Sequence, residues 1–261
     1  MLIYAEALDV AAEGAMWYAR KIAPATISAL HIPGHGSDTG IRPRWFDFTG
    51  GEPRLDVRPA GTDRVAAVLE EVQRLRAEPG DVVTVVMPEQ YRRRSLLHAA
   101  KRPQFQLKLR LLVEPGVVVS DVTAVTAERR PEGRTPDRLL VRVLAGSIDD
   151  VTRAAVQYAR MLAADDLRGL HFGPRDWSDD ALGLEVDEVG EAGGFVESLL
   201  AYLRRLTADP SVAVNVVLPE RVGAGVSRLS RRSLAIKRSL LFEPHVILTS
   251  VPHQALRPQG A

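Results

Sequence analysis

One stretch of this chain occurs twice. Asp81-Val82-Val83-Thr84-Val85-Val86-Met87-Pro88-Glu89 is matched by Ser211-Val212-Ala213-Val214-Asn215-Val216-Val217-Leu218-Pro219-Glu220. In each copy a β-branched apolar run ends in Pro-Glu, and an arginine-rich segment follows. An apolar run without alternation marks a strand buried on both faces, as in parallel sheets covered by helices. Proline cannot donate to a sheet ladder, so Pro88 and Pro219 are expected to mark where each strand stops. Ligands of parallel α/β sheets bind beyond the carboxyl ends of such strands, so function is sought just past the prolines.

The rest of the chain repeats around that strand. Tyr18-Ala19-Arg20 returns as Tyr158-Ala159-Arg160, and Leu30-His31 as Leu170-His171. Trp45 is answered by Trp177, and Leu55-Asp56-Val57 by Leu184-Glu185-Val186. Val68-Leu69, Val72 and Leu75 recur as Leu199-Leu200, Leu203 and Leu206. Leu107-Lys108, Leu111-Leu112 and Glu114-Pro115 recur as Ile236-Lys237, Leu240-Leu241 and Glu243-Pro244. The offset drifts only slightly along the chain, which places the insertions in loops. This is a duplicated domain.

Within the first copy the pattern predicts strands at Met1 to Ala5, Ile27 to Ile32, Leu55 to Val57, the opening stretch, and Gly116 to Val122. Helical spacing covers Asp9 to Ala23 and Gly61 to Arg76, and a basic helix ends near Val113. Asp9 stands where an N-cap belongs, and Pro24 closes that helix. Trp45 and Phe46 are read as part of a loop. In the second copy Val141 to Ala145 reads as a strand and Asp149 to Ala164 as a helix. Alternating strands and helices imply a parallel sheet with right-handed crossovers. The expected fold is therefore α/β: two tandem copies of a parallel five-stranded, doubly wound, flavodoxin-like sheet. Homologous faces favour packing as a pseudo-dimer about a two-fold axis. Copy one is expected over 1–126 and copy two over 139–261. The linker, 127–138, is placed where Ala127 to Asp137 lacks periodicity and carries two prolines.

Composition narrows the function classes. A net charge of +1 gives no global electrostatic case for nucleic acid. The absence of cysteine excludes disulfides, thiol catalysis and cysteine-ligated zinc, and fits a reducing compartment. Charge interrupts every apolar run before it could span a bilayer. Glu6 and Asp9 break the start of the chain, where a signal peptide would need an apolar segment. The expected location is the cytoplasm. No nucleophile elbow, Walker A lysine loop, His-Glu-x-x-His or catalytic carboxylate pair is present, so neither an enzyme nor a metal site is expected.

The strand order, the Tyr-Ala-Arg helix and the strand ending in Leu-His together resemble the universal stress protein fold. Val82 to Glu89, Leu97-His98, Gln106-Leu107-Lys108 and Pro115 to Val122 are similar to a more particular group. That group is the cytoplasmic C-terminal domain of actinobacterial amino-acid/polyamine/cation permeases of the APC superfamily. The second copy keeps Val217-Leu218-Pro219-Glu220 and closes with Thr249-Ser250-Val251-Pro252-His253. The resemblance runs over nearly the whole chain, twice. It implies a universal-stress-like sheet and an adenine-nucleotide ligand (ATP, AMP or cyclic di-AMP). It also implies a partner that is a membrane transporter, or this chain's own transmembrane region. The ATP-binding members carry an Asp at the end of strand one, where this chain has Ala5 or Ala145, beside Glu6 and Gly146. They also carry a glycine-rich loop after strand four. Copy one has Pro88-Glu89-Gln90-Tyr91-Arg92-Arg93-Arg94 there, and copy two keeps only Gly223 and Gly225.

The chemical signal of the sequence itself is basic charge after each fourth strand. Copy one supplies Arg92, Arg93, Arg94, His98, Lys101, Arg102, Lys108 and Arg110; copy two supplies Arg221, Arg228, Arg231, Arg232, Lys237 and Arg238. Such residues pair with phosphate, bidentately in the case of arginine, or form a solvated face that docks an acidic partner. Glu89, Glu220, Gly223 and Gly225 are pocket candidates. The two glutamates either hydrogen-bond a sugar or base, or hold a neighbouring helix or arginine. His31 and His171 read as packed histidines sharing a proton with the backbone, and His35 as a loop residue. Tyr18 and Tyr158 read as helix-to-sheet packing. The expected function is a non-enzymatic ligand-sensing regulator of a transporter. The alternative is an interaction scaffold whose nucleotide pockets have degenerated. Both leave room for a homo-oligomer.

Overall fold

The Val-rich stretch forms β4 (Val83–Tyr91), where Val85, Val86 and Met87 are fully buried. Each buried valine contributes about 1.5–3 kcal/mol, which is why this strand lies inside its sheet. The computed structural model describes residues 1–33, 40–76, 78, 81–91, 103–125, 136–190, 193–222 and 231–254. The chain divides into two compact units. The first takes Met1–Leu111 and Gly116–Thr135, the second Leu112–Pro115 and Pro136–Ala261.

In unit 1 the order is β1 (Leu2–Tyr4), α1 (Val10–Lys21), β2 (Ser28–His31), α2 (Ile41–Thr49) and β3 (Leu55–Val57). Then follow α3 (Arg64–Leu75), β4, α4 (Pro103–Leu111) and β5 (Val117–Val125). The strands lie side by side as β3-β2-β1-β4-β5, each pair parallel. Unit 2 runs β6 (Arg138–Leu144), α5 (Asp150–Arg160), β7 (Asp166–Phe172), α6 (Asp179–Leu182) and β8 (Val186–Val189). It finishes with α7 (Phe195–Leu206), β9 (Val212–Val222), α8 (Arg231–Leu240) and β10 (Val246–Gln254). Its strands lie as β8-β7-β6-β9-β10, again parallel throughout. The fold is α/β, as the sequence implied.

The helices start where the sequence provides acceptors. Asp9, Asp63 and Asp149 each accept a backbone N–H three residues on, at 3.0, 3.0 and 2.9 Å. This satisfies donors that a helix start leaves orphaned. Tyr18 and Tyr158 are buried between helix and sheet, as their spacing predicted. The core of unit 2 gathers Leu170, Leu199, Leu203, Val214, Val216, Ile236 and Leu240 around the sheet.

Three expectations are corrected. Pro88 and Pro219 do not end their strands; β4 runs on to Tyr91 and β9 to Val222. Both prolines lie past the end of the shorter neighbour, β1 or β6, where that flank of the strand is an edge. A missing N–H there costs no ladder bond. Trp45 and Phe46 belong to a helix rather than a loop. Ile41, Trp45 and Thr49 form its buried face, and Pro43 falls in the first turn, where its missing N–H is harmless. The counterpart of Leu55-Asp56-Val57 is Val186-Asp187-Glu188, because His31 pairs with Val57 and His171 with Glu188. A two-residue slip keeps every side chain on its own face, so the pattern alone does not detect it.

Candidate functional site

The strand order reverses once in each unit. β2 and β3 lie to one side of β1, β4 and β5 to the other. Chain connections leave this point in opposite directions and open a crevice at the strands' carboxyl ends. Unit 2 has the same reversal between β6 and β9.

At this end of unit 1 three ionisable side chains and a phenol converge. Glu89 and Tyr91 stand two apart on β4 and so share a face. Asp121 of β5 is paired with Met87 and faces the same way. Lys108, from α4, lies 2.8 Å from Glu89 Oε1 and 2.6 Å from Asp121 Oδ1. The Tyr91 hydroxyl donates to Glu89 Oε2. Glu89 is only 3% exposed, and a carboxylate so far from water persists because both oxygens are served. Burial opposes the charge on Lys108, but Asp121 and Glu89 outweigh it, and its pKa is raised. Burial and the Glu89 charge also raise the Tyr91 pKa, which keeps the phenol a neutral donor.

Unit 2 repeats the pair with fewer partners. Lys237 Nζ lies 2.5 Å from Glu220 Oε1. Leu218 pairs with Ser250 as Met87 pairs with Asp121, so serine replaces the second carboxylate. Val222 stands where Tyr91 stands in unit 1. Glu220 is 2% exposed, and among the described residues its Oε2 has no hydrogen-bond partner.

The sequence-derived candidates divide by place. Lys108 and Lys237 face inward onto carboxylates, and Glu89 and Glu220 are those carboxylates. Arg221 is exposed and reaches Asp149 Oδ2 at 3.2 Å, tying the end of β9 to the start of α5. Arg92, Arg93, Arg94, His98, Lys101, Arg102, Gly223, Gly225 and Arg228 lie outside the described residues, as does His35. Arg231 and Arg232 open α8 and are described by their backbone alone. His31 Nδ1 donates to the Ala5 carbonyl at 2.7 Å, and His171 Nδ1 to the Ala145 carbonyl at the same distance. Each ties the second strand of its unit to the end of the first. The His171 and Trp177 rings meet in a T-shaped arrangement, with centroids 5.2 Å apart.

Sequence reasoning passed over Tyr91 as a partner of Glu89 and Asp121 as a partner of Lys108. The signal for Tyr91 was present, since i and i+2 on a strand share a face. For Asp121 there was none, because register between strands is a tertiary fact. It also passed over Arg142, 3% exposed in the middle of β6. Arg142 donates to Tyr202 Oη and Asp166 Oδ2, both at 2.6 Å, and Tyr202 donates on to Asp187. Burial and then that bond push the Tyr202 pKa up to about 12. This network ties β6, β7 and β8 to α7.

Among the described residues no His, Asp or Glu cluster has the makings of a metal site, and no helix is long and apolar enough to cross a membrane. Among solved structures, the chain is similar to a universal stress protein from Archaeoglobus fulgidus DSM 4304. The TM-score is 0.55 at 15% identity, over 97% of this chain and 96% of that one, which is a likeness of fold. No curated protein matches. A family model described as the KimA potassium transporter C-terminal domain matches residues 1–124 and 136–253. With both halves covered by that model, the chain belongs to the family of KimA potassium transporter C-terminal domains.

Proposed function

We propose that this chain is a non-enzymatic regulatory domain that senses a ligand and adjusts a potassium transporter from the cytoplasmic side. Its membership of a transporter-domain family supports the partner. The observation that carries ligand sensing is a buried glutamate near the carboxyl end of β4 and of β9, the strand beside the reversal of strand order in each unit. The ligand class is an adenine nucleotide: ATP, AMP or cyclic di-AMP. In this reading the arginines after β4 and β9 face its phosphates, and Glu89 or Glu220 meets its base or sugar. The sensing halves are 1–126 and 139–261, pairing as an intramolecular pseudo-dimer. Titration calorimetry of the three nucleotides at low salt tests the reading. Heat of binding from at least one is expected, and silence from all three rules the class out.

A second reading, an interaction scaffold with degenerate pockets, is favoured by one observation. Lys108 and Lys237 are already neutralised by Glu89, Asp121 and Glu220, which leaves them no charge for phosphate. Thermal shift separates the readings, since a ligand raises Tm by mass action and a scaffold ignores nucleotides.

A further inference from the structure

At three corresponding positions of the two carboxyl ends, unit 2 carries the smaller side chain. Glu89 has its second oxygen filled by the Tyr91 hydroxyl, whereas Glu220 faces Val222 and its Oε2 has no partner among the described residues. Asp121 becomes Ser250. At the end of the first strand, Ala5 and Ala145 are equivalent, because each accepts the histidine Nδ1–H. The next residue is Glu6 in unit 1 and Gly146 in unit 2. A side chain added at Gly146 would meet nothing within 4 Å, so there is open space at that strand end. Counted on from Val143↔Val217, Gly146 comes level with Glu220.

A buried carboxylate oxygen without a donor carries a desolvation penalty that a donor relieves. In unit 1 the chain supplies that donor itself. We propose that unit 1 is closed by Tyr91 acting as a built-in plug, and that unit 2 is the receptive half. There an N–H or O–H donor of the ligand meets Glu220 Oε2 as the Tyr91 hydroxyl meets Glu89 Oε2. For the ligand this rests on the adenine-nucleotide reading, whose exocyclic amine and ribose hydroxyls are such donors. The plug itself does not rest on that reading.

The test transplants the plug. Calorimetry of ATP, AMP and cyclic di-AMP on the full chain is expected to give one site per chain. Val222→Tyr is expected to weaken that binding about ten- to hundredfold, the worth of a hydrogen bond to a charged group. It is also expected to raise the Tm of the free protein, because Glu220 gains a donor. Tyr91→Val is expected to do the reverse, adding a second site and lowering Tm; it decides the matter if Val222→Tyr does not fold. Wild-type affinity in Val222→Tyr, or two sites in the unmodified chain, overturns the proposal. If the unmodified chain binds none of the three, the nucleotide reading has failed and the free-protein Tm decides the plug. A rise in Val222→Tyr then supports it, and a fall overturns it.

Discussion

At the residue scale the central fact is how the buried charges are balanced. Glu89 and Asp121 share the single ammonium of Lys108. Removing one partner of a buried ion pair leaves an uncompensated charge, at a cost of about 3–5 kcal/mol. Lys108→Met is therefore expected to lower stability by about that amount in denaturant titration. Asp121→Ser imitates the second unit and leaves Glu89 and Lys108 as a neutral pair, so its cost is expected to be clearly smaller. Equal losses would show that the pairing does not decide stability here. Glu71 makes a second case. It is buried, accepts from Arg74 and Ser28, and its pKa is lowered chiefly by the Arg74 hydrogen bond. A depressed carboxylate pKa gives stability that is present above the unfolded value, about 4.3, and lost as pH falls through the folded one. Tm measured from neutral to acid pH is expected to drop less steeply in Glu71→Gln than in the unmodified chain. An unchanged slope would assign the acid sensitivity elsewhere.

At the element scale the chain relies on local signals that act independently of the sheet. Asp149 shows how such a signal combines with a long-range contact. Its Oδ1 caps α5 through the Thr152 N–H, and its Oδ2 meets Arg221 at the end of β9. A lost cap costs about 1 kcal/mol, whereas an exposed ion pair is worth about 0–1 kcal/mol. Asp149→Asn keeps the cap and is expected to stay close to the unmodified chain in chemical denaturation. Asp149→Ala loses both and is expected to fall by about 1 kcal/mol or a little more. If Asn proves as damaging as Ala, the exposed pair rather than the cap holds α5. The strand-interior prolines belong at this scale too. They were misread as terminators because proline is excluded from a ladder only where a neighbouring strand needs its N–H. The lengths of β1 and β6 decide that, and they lie far off in sequence from the prolines they permit.

At the scale of the whole molecule, the duplication made the α/β alternation readable twice. Val82–Val86 and Val212–Val217 announced central strands, and Asp9 and Asp149 announced helix starts. Hydrophobic period and capping chemistry are local properties, so the sequence by itself determined most of the elements, their order and the repetition of the unit. It also determined that cysteine chemistry plays no part. What it could not determine is which side chains meet. Glu89, Lys108 and Asp121 come from a strand, a helix and another strand, and only register and helix docking bring Lys108 within 3 Å of both carboxylates. The same holds for Arg142, an arginine in an apolar run that becomes tolerable once Asp166 and Tyr202 arrive from other elements. Lys108 and Lys237 carry identical charge in sequence to the arginines near them. Tertiary structure alone turned them inward, because a carboxylate buried at the end of β4 or β9 needs a cation more than the surface does.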